Sequence, residues 1–376
     1  MSCTDGEMII RYDYQAFSMQ NFGGISRYFT QIIRRIAALP GISVELNILF
    51  SHNHYLLELP EYSHIRWFEN RTFPGQSKLL RIFKTVNKLQ NIMDLNKSNF
   101  HVYHPTYYNV EYLPFIDKRP FVLTVHDMIH DIYPEFFRNQ KITNQKKILM
   151  EKASKIIAVS ESTRNDILRF YPEIEDKLEV VYHANSLDPE KNIKAAEGLP
   201  EKYILFVGDR KIYKNFNFFI RNSAEFFNED DSLSIVCAGG GSFSQSEIQL
   251  LKELNLINRV THVPAKTDNE LVNLYSNALL FVFPSVYEGF GIPILEAFAC
   301  GCPVLASNAS SLPEVGGNAV AYFNPHDSIS FKDSFRSLME NSALRKSLKE
   351  KGLERLKNFS WEKTVDKTIA IYNSVL

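Results

Sequence analysis

Two glutamates, Glu288 and Glu296, stand eight residues apart in "PSVYEGFGIPILEAFACGCPVLAS" (residues 284–307), on either side of a glycine-rich turn. The turn follows the strand-like "ALLFVF" and leads into a helix whose expected first residue is Pro293, a position where the missing N–H costs nothing. Gly289 and Gly291 allow the backbone to approach a ligand closely, and the amides of a helix start suit an anion. The stretch therefore reads as a phosphate cradle. Glu288 precedes it and Glu296 lies one turn into the helix, so the two carboxylates reach hydroxyls on opposite sides of a bound pyrophosphate. A plainer reading also fits, with Glu296 complementing the helix dipole and Glu288 solvated.

A second loop, "YILFVGDRKIYKNFNFFI" (203–220), leaves a strand at Gly208 and presents Arg210, Lys211 and Lys214 before the next helix. Arginine forks two phosphate oxygens and lysine supplies a compact charge. Two cations opposite a helix N-terminus would neutralise a leaving diphosphate. A solvated basic loop is the commoner fate of such a cluster, but its company with the first motif, on the same sheet edge, favours chemistry. The first half of the chain offers Gly23 and Gly24 in "FGGISRYFTQIIRRI" and a strand-end His126 in "LTVHDMIHD". Each is weak alone, since glycine turns are usually only turns and a lone histidine more often satisfies a local hydrogen bond.

The elements that must hold these residues alternate along the chain. Apolar, β-rich runs such as "MIIRYDY", "VELNILF", "FVLTVHD", "KIIAVS" and "LEVVYH" are separated by amphipathic stretches. After the polar segment 185–201 the scheme repeats with "YILFVG", "LSIVCAG", "RVTHVP", "ALLFVFPS" and "PVLAS". This is the pattern of parallel sheets covered by helices, in two α/β domains. A length of 376 residues with 45% hydrophobic content supports two cores. In an open parallel sheet, ligands bind beyond the carboxyl ends of the strands, where both loops lie.

Composition removes several classes of function. A formal net charge of -1 lacks the basic field of a nucleic-acid binder. Cys3, Cys237, Cys300 and Cys302 form neither a metal-ligand spacing nor a disulfide framework, which fits a reducing cytosol. The start "MSCTDGEMIIRYDY" has no signal pattern, no apolar run reaches spanning length, and the expectation is a soluble protein that at most touches a membrane. There is no Walker A, Gly-x-Gly-x-x-Gly or His-Glu-x-x-His motif, and "EDD" at 229–231 has the wrong spacing for Asp-x-Asp. No metal is expected.

Taken together, "GGISRYF", "HPTYY", "TVHDMIHDIYPEFF", "AVSESTRNDIL", "VGDRKIYKN", the Glu288/Glu296 segment, "SLPEVGGNAVAYFNP" and "FSWEKTV" resemble the retaining glycosyltransferases of the GT-B fold, family 4. The resemblance covers nearly the whole chain in order. It implies two Rossmann-like domains with parallel sheets facing a central cleft: residues 1–185 binding the acceptor, residues 186–360 the nucleotide sugar, and a helix at 361–376 packing back on the first. It further implies that Glu296 holds ribose hydroxyls, that Glu288 contacts the transferred hexose, and that the backbone of Phe290, Gly291 and Ile292 meets the diphosphate opposite Arg210 and Lys214. Gly23 and Gly24 would face the cleft, with His126 beside the sugar. The implied reaction is metal-independent transfer of a hexose with retention, from GDP-mannose by preference, to a glycan or lipid-linked acceptor in bacterial surface polysaccharide or lipopolysaccharide synthesis. "VYHANS" and "VPAK" depart from the family pattern at the hinge and near the base.

A nucleotide-sugar epimerase or hydrolase-like enzyme of the same fold would use similar phosphate loops. A dinucleotide oxidoreductase would need a glycine fingerprint that neither half shows. A silent sugar-binding protein would not need both glutamates and both cations. In "KLLRIFKTVNKLQNIMDL" (78–95), Leu79, Ile82, Phe83, Val86, Leu89, Ile92 and Met93 form an apolar stripe beside Lys78, Arg81, Lys84 and Lys88. Together with Arg138, Lys141, Lys146, Lys147, Lys152 and Lys155 it suggests a peripheral contact with the inner face of the cell membrane. The competing reading is an ordinary helix packing its stripe on the sheet.

Overall fold

The computed structural model describes residues 7–19, 21–59, 61–62, 65–66, 76–97, 99–191 and 198–376. The "MSCTDG" start with Cys3, and part of the 185–201 segment, lie outside the described residues. The chain forms two compact units, one of residues 1–159, 163–183 and 361–376, the other of residues 160–162 and 184–360.

In the first unit the chain runs β1 (Met8–Tyr12), α1 (Gly24–Ala37), β2 (Ile42–Leu46), the short β3 (Phe50–Ser51) and β4 (Ile65–Arg66), α2 (Gln76–Leu95), β5 (Val102–His104) and β6 (Val122–Val125). It continues through α3 (Ile129–Ile132), α4 (Lys141–Lys152), β7 (Lys155–Ala158), α5 (Glu161–Phe170) and β8 (Leu178–Val180). Parallel sheets of order β2-β1-β5 and β6-β7-β8 are joined by a parallel bridge between Tyr103 and Phe121. The run "VELNILF" is broken at Asn47, and β5 is only three residues long. No apolar run marks it, unlike the equally short β8 within "LEVVYH", and its buried Val102, Tyr103 and His104 are held by neighbours instead.

The second unit follows with β9 (Lys202–Val207), α6 (Phe216–Glu229), β10 (Leu233–Ala238), α7 (Gln245–Glu253), β11 (Val260–Val263), α8 (Asp268–Asn277) and β12 (Leu280–Phe283). Then come α9 (Ile292–Ala299), β13 (Val304–Ser307), α10 (Leu312–Gly316), β14 (Ala321–Phe323), α11 (Ser328–Glu340) and α12 (Ser342–Leu356). Six strands pair in parallel in the order β11-β10-β9-β12-β13-β14. Tyr203–Phe206 of β9 and all of β12 are buried, as strands covered on both faces must be. The order reverses between β9 and β12, which are hydrogen-bonded neighbours. At such a switch point the two following loops diverge and leave a crevice at the carboxyl ends. Those loops carry Lys214 and Glu288.

The last helix, α13 (Trp361–Asn373), belongs to the first unit. Its buried face is Trp361, Thr364, Val365, Thr368, Ile371 and Tyr372, with Tyr372 Oη 2.7 Å from Tyr12 Oη and bonded to His104 Nδ1 at 2.5 Å.

Candidate functional site

Lys214 ends a short 3-10 turn, Ile212–Lys214, and Asn215 takes a left-handed conformation (φ 58°) to begin α6. This sharp exit from β9 turns Lys214 toward the neighbouring loop, where its Nζ lies 2.7 Å from Glu288 Oε1. The pair is mostly buried and packs over the Phe283 ring. An ammonium has three donors, so Glu288 leaves Lys214 others for a ligand.

The Glu288 loop is wired by backbone bonds. Val286 N–H donates to Tyr213 O at 2.8 Å, tying it to the turn that carries Lys214. Gly291 stands at the N-cap of α9 with φ 107°, and a Cβ there would meet Leu312 Cδ2 at 2.9 Å, so the position needs glycine. The helix begins one residue earlier than expected, at Ile292, with Pro293 second. Phe290 is buried against Phe359 and Ile292 is half-buried.

Glu296 is the fifth residue of α9 and only 5% exposed. Past the first turn the helix dipole has little hold on it. Its Oε2 accepts from Tyr275 Oη of α8 at 3.1 Å. Burying a carboxylate is costly unless it is bonded, and Tyr275 offsets part of that cost. Burial, and then the carboxylate, push the Tyr275 hydroxyl far above its usual range, so it stays a donor.

Arg210 is held by partners within its own unit. Its Nε is 2.7 Å from Glu247 Oε1, its Nη2 donates to the carbonyls of Gly241 and Ser242, and its guanidinium lies over Phe243. Gly239, Gly240 and Gly241 are all left-handed, and a Cβ on Gly240 would meet Gly208 O at 2.7 Å. Buried and clamped, Arg210 braces this glycine loop rather than standing free beside Lys214. Lys211 is exposed and paired with Asp209.

Residues 188–355 match the family described as "Glycosyl transferases group 1", and residues 22–188 match "Glycosyltransferase Family 4". The chain belongs to the family 4 glycosyltransferases. O-antigen chain mannosyltransferase B of Escherichia coli is 27% identical over 375 residues, covering 93% of this chain and 95% of that protein. O-antigen chain mannosyltransferase RfbU of Salmonella typhimurium is 33% identical over 218 residues, 57% of this chain and 60% of that one. Among solved structures, a sucrose-phosphate synthase from Thermosynechococcus elongatus superposes with a TM-score of 0.74 at 20% identity, over 98% of this chain and 99% of that chain. HepE of Anabaena, in complex with UDP and glucose, gives 0.74 at 17% identity, over 98% and 100%. The fold is that of the GT-B glycosyltransferases, and these likenesses do not favour an epimerase or hydrolase.

In the first unit of this glycosyltransferase, Gly23 caps the start of α1 with an extended backbone and Gly24 is its first residue. His126 follows β6, with its N–H donating to Tyr108 Oη at 2.9 Å. Its ring is enclosed by Tyr28, Phe29 and His183, and its Nε2 has no hydrogen-bond partner among the described residues. Burial holds the imidazole well below its usual pKa, hence neutral. Lys146, expected among surface cations, is fully buried: Nζ lies 2.9 Å from Asp131 Oδ2 and donates to Asp127 O, fixing the segment after His126.

Sequence reading missed Tyr275, Glu247, Ser160, Ser310 and Ser311. Glu247 carried one signal, as the third residue of a Ser244 capping box. The serines looked like ordinary loop residues.

Proposed function

We propose that this glycosyltransferase moves mannose from GDP-mannose to a lipid-linked glycan acceptor with retention of configuration, without a metal, in surface polysaccharide synthesis. The observation that carries the reading is the Lys214–Glu288 pair at the switch point between β9 and β12. Lys214 and the amides of Phe290, Gly291 and Ile292 take the diphosphate, where charge develops as the sugar departs. Glu288 takes hydroxyls of the hexose, and Glu296 those of the ribose. Arg210 acts by bracing Gly239–Ser242. His126, with Gly23 and Gly24, serves the sugar and acceptor; a neutral His126 Nε2 can meet a hydroxyl. Mannose is favoured by the two O-antigen mannosyltransferase relatives.

The lipid-linked acceptor is supported by α2. Its buried side is formed by Asn87, Asn91 and Leu95, while Ile82, Leu89 and Met93 are 57%, 54% and 52% exposed. They lie along the opposite side of the helix, with exposed Lys78 beside them and exposed Arg81 on their flank, while exposed Lys84 lies on the Asn87 side. An apolar ridge with a cationic flank suits an anionic bilayer surface. Lys88 is paired with Glu111 at 2.9 Å, and the Lys146 finding removes another cation from this count. No helix of the described residues is long and apolar enough to cross a membrane.

A thermal-shift screen with GDP-, UDP- and dTDP-sugars tests the donor. GDP-mannose should raise the melting temperature most. A larger shift with a UDP-sugar would overturn the choice of donor.

A further inference from the structure

The turn between β13 and α10 holds the acidic loop by its backbone. Glu288 N–H donates to Ser310 Oγ at 2.8 Å, and Glu288 O accepts from Ser311 Oγ at 2.9 Å. The same Ser311 Oγ, fully buried, lies 2.8 Å from Phe290 O. Between them, Gly289 O accepts from the buried Ser160 Oγ at 2.6 Å, and residues 160–162 belong to this second unit. Three consecutive carbonyls thus meet two serine hydroxyls, the single proton of Ser311 shared between Glu288 O and Phe290 O and that of Ser160 given to Gly289 O.

A trans peptide unit is planar, and its C=O and the following N–H point in opposite directions. Fixing the carbonyls of Glu288, Gly289 and Phe290 therefore fixes the N–H vectors of Gly289, Phe290 and Gly291, which turn away from the serines at the entrance to α9. Ser310 is also held at φ 48°, in the left-handed region that a non-glycine residue adopts only at a cost. A glycine would relieve that strain but could not accept the Glu288 N–H.

We infer that Ser311 and Ser310 are positioning residues for glycosyl transfer, one hydroxyl aiming the diphosphate-binding amides and the two together setting Glu288. This rests on the diphosphate reading of the loop, so the test separates the two. The full chain is compared with Ser311→Ala, Ser311→Thr, Ser310→Gly and Lys214→Ala for binding of GDP, UDP and their nucleosides, for kcat and KM, and for melting temperature.

Ser311→Ala should lose at least about tenfold in nucleoside diphosphate affinity and more in kcat, since small misplacements of catalytic groups are costly. Its nucleoside affinity should be unchanged, and Ser311→Thr, which keeps the hydroxyl, should recover part of the loss. Ser310→Gly should melt no lower than the parent and yet transfer more slowly. If Lys214→Ala weakens diphosphate binding while Ser311→Ala and Ser310→Gly bind and turn over like the parent, the positioning role is overturned and the loop reading stands. If none of the variants changes diphosphate binding, the loop reading fails and takes the inference with it. Equal losses for nucleoside and diphosphate, in step with a lower melting temperature, would reduce Ser311 to packing and overturn the proposal.

Discussion

Lys214 and Glu288 are each other's partner at 2.7 Å, so replacing either changes what the other does. Glu288→Ala should abolish transfer while leaving nucleoside diphosphate affinity equal or higher, because it frees the ammonium for phosphate. Lys214→Ala should lower kcat by about 100- to 1,000-fold, the usual loss for one preorganised donor, and weaken the diphosphate far more than the nucleoside. Calorimetric titration with both ligands checks this. If Glu288→Ala weakened the diphosphate as much as Lys214→Ala, the division of roles would be wrong. The sequence made both residues candidates, through their types and their places after strands. It did not show that they meet, because the tight turn at Ile212–Lys214 and the left-handed Asn215 decide that. The partners of Arg210 were hidden for a related reason. A basic residue beside glycines serves equally as ligand or brace, and its partner Glu247 stands 37 residues further along.

At the scale of elements, periodicity found the long strands and α13, and it failed on the three-residue β5 and β14. It also failed to say which face of α2 is buried. A helix usually turns its apolar stripe inward, yet here Asn87 does the inward work: its side chain bonds Leu49 N–H, Phe50 N–H and Phe50 O. That leaves Ile82, Leu89 and Met93 outward. Co-sedimentation with anionic and neutral liposomes checks the consequence. Lys78 and Arg81 at about 1 kcal/mol each should favour anionic vesicles by about 30-fold at low salt, less at physiological salt. Ile82→Asp with Leu89→Asp should release the protein. Binding to neither vesicle type would make a soluble acceptor the better reading.

The molecule as a whole repeats one parallel α/β scheme in two units, and the repetition was legible because strands buried on both faces read as apolar runs. The buried histidines of the first unit were not, since nothing local marks a histidine as core. His104 and His183 are pushed down to about 3 by burial, and His126 is held well below its usual value. Each protonates in the unfolded chain below about 6.5 but stays neutral in the fold, so the unfolded state binds more protons as pH falls. Stability from these groups is complete above about 6.5 and is lost progressively toward 3. Asp13, pushed up by burial, acts in the opposite sense. The melting temperature should therefore fall as pH drops from 7 to 5, and a flat profile would contradict neutral burial.

The central claim is transfer of a hexose from a nucleoside diphosphate sugar by a fixed lysine and backbone amides. Its most direct test is incubation of the enzyme with sugar-labelled GDP-mannose, lipid-linked glycan and EDTA, followed by NMR of the labelled product. Label is expected on the glycan, in the donor's anomeric configuration, at a rate that added magnesium or manganese does not raise. Label found only in an altered donor or as free sugar, or transfer that appears only when metal is restored, would contradict it.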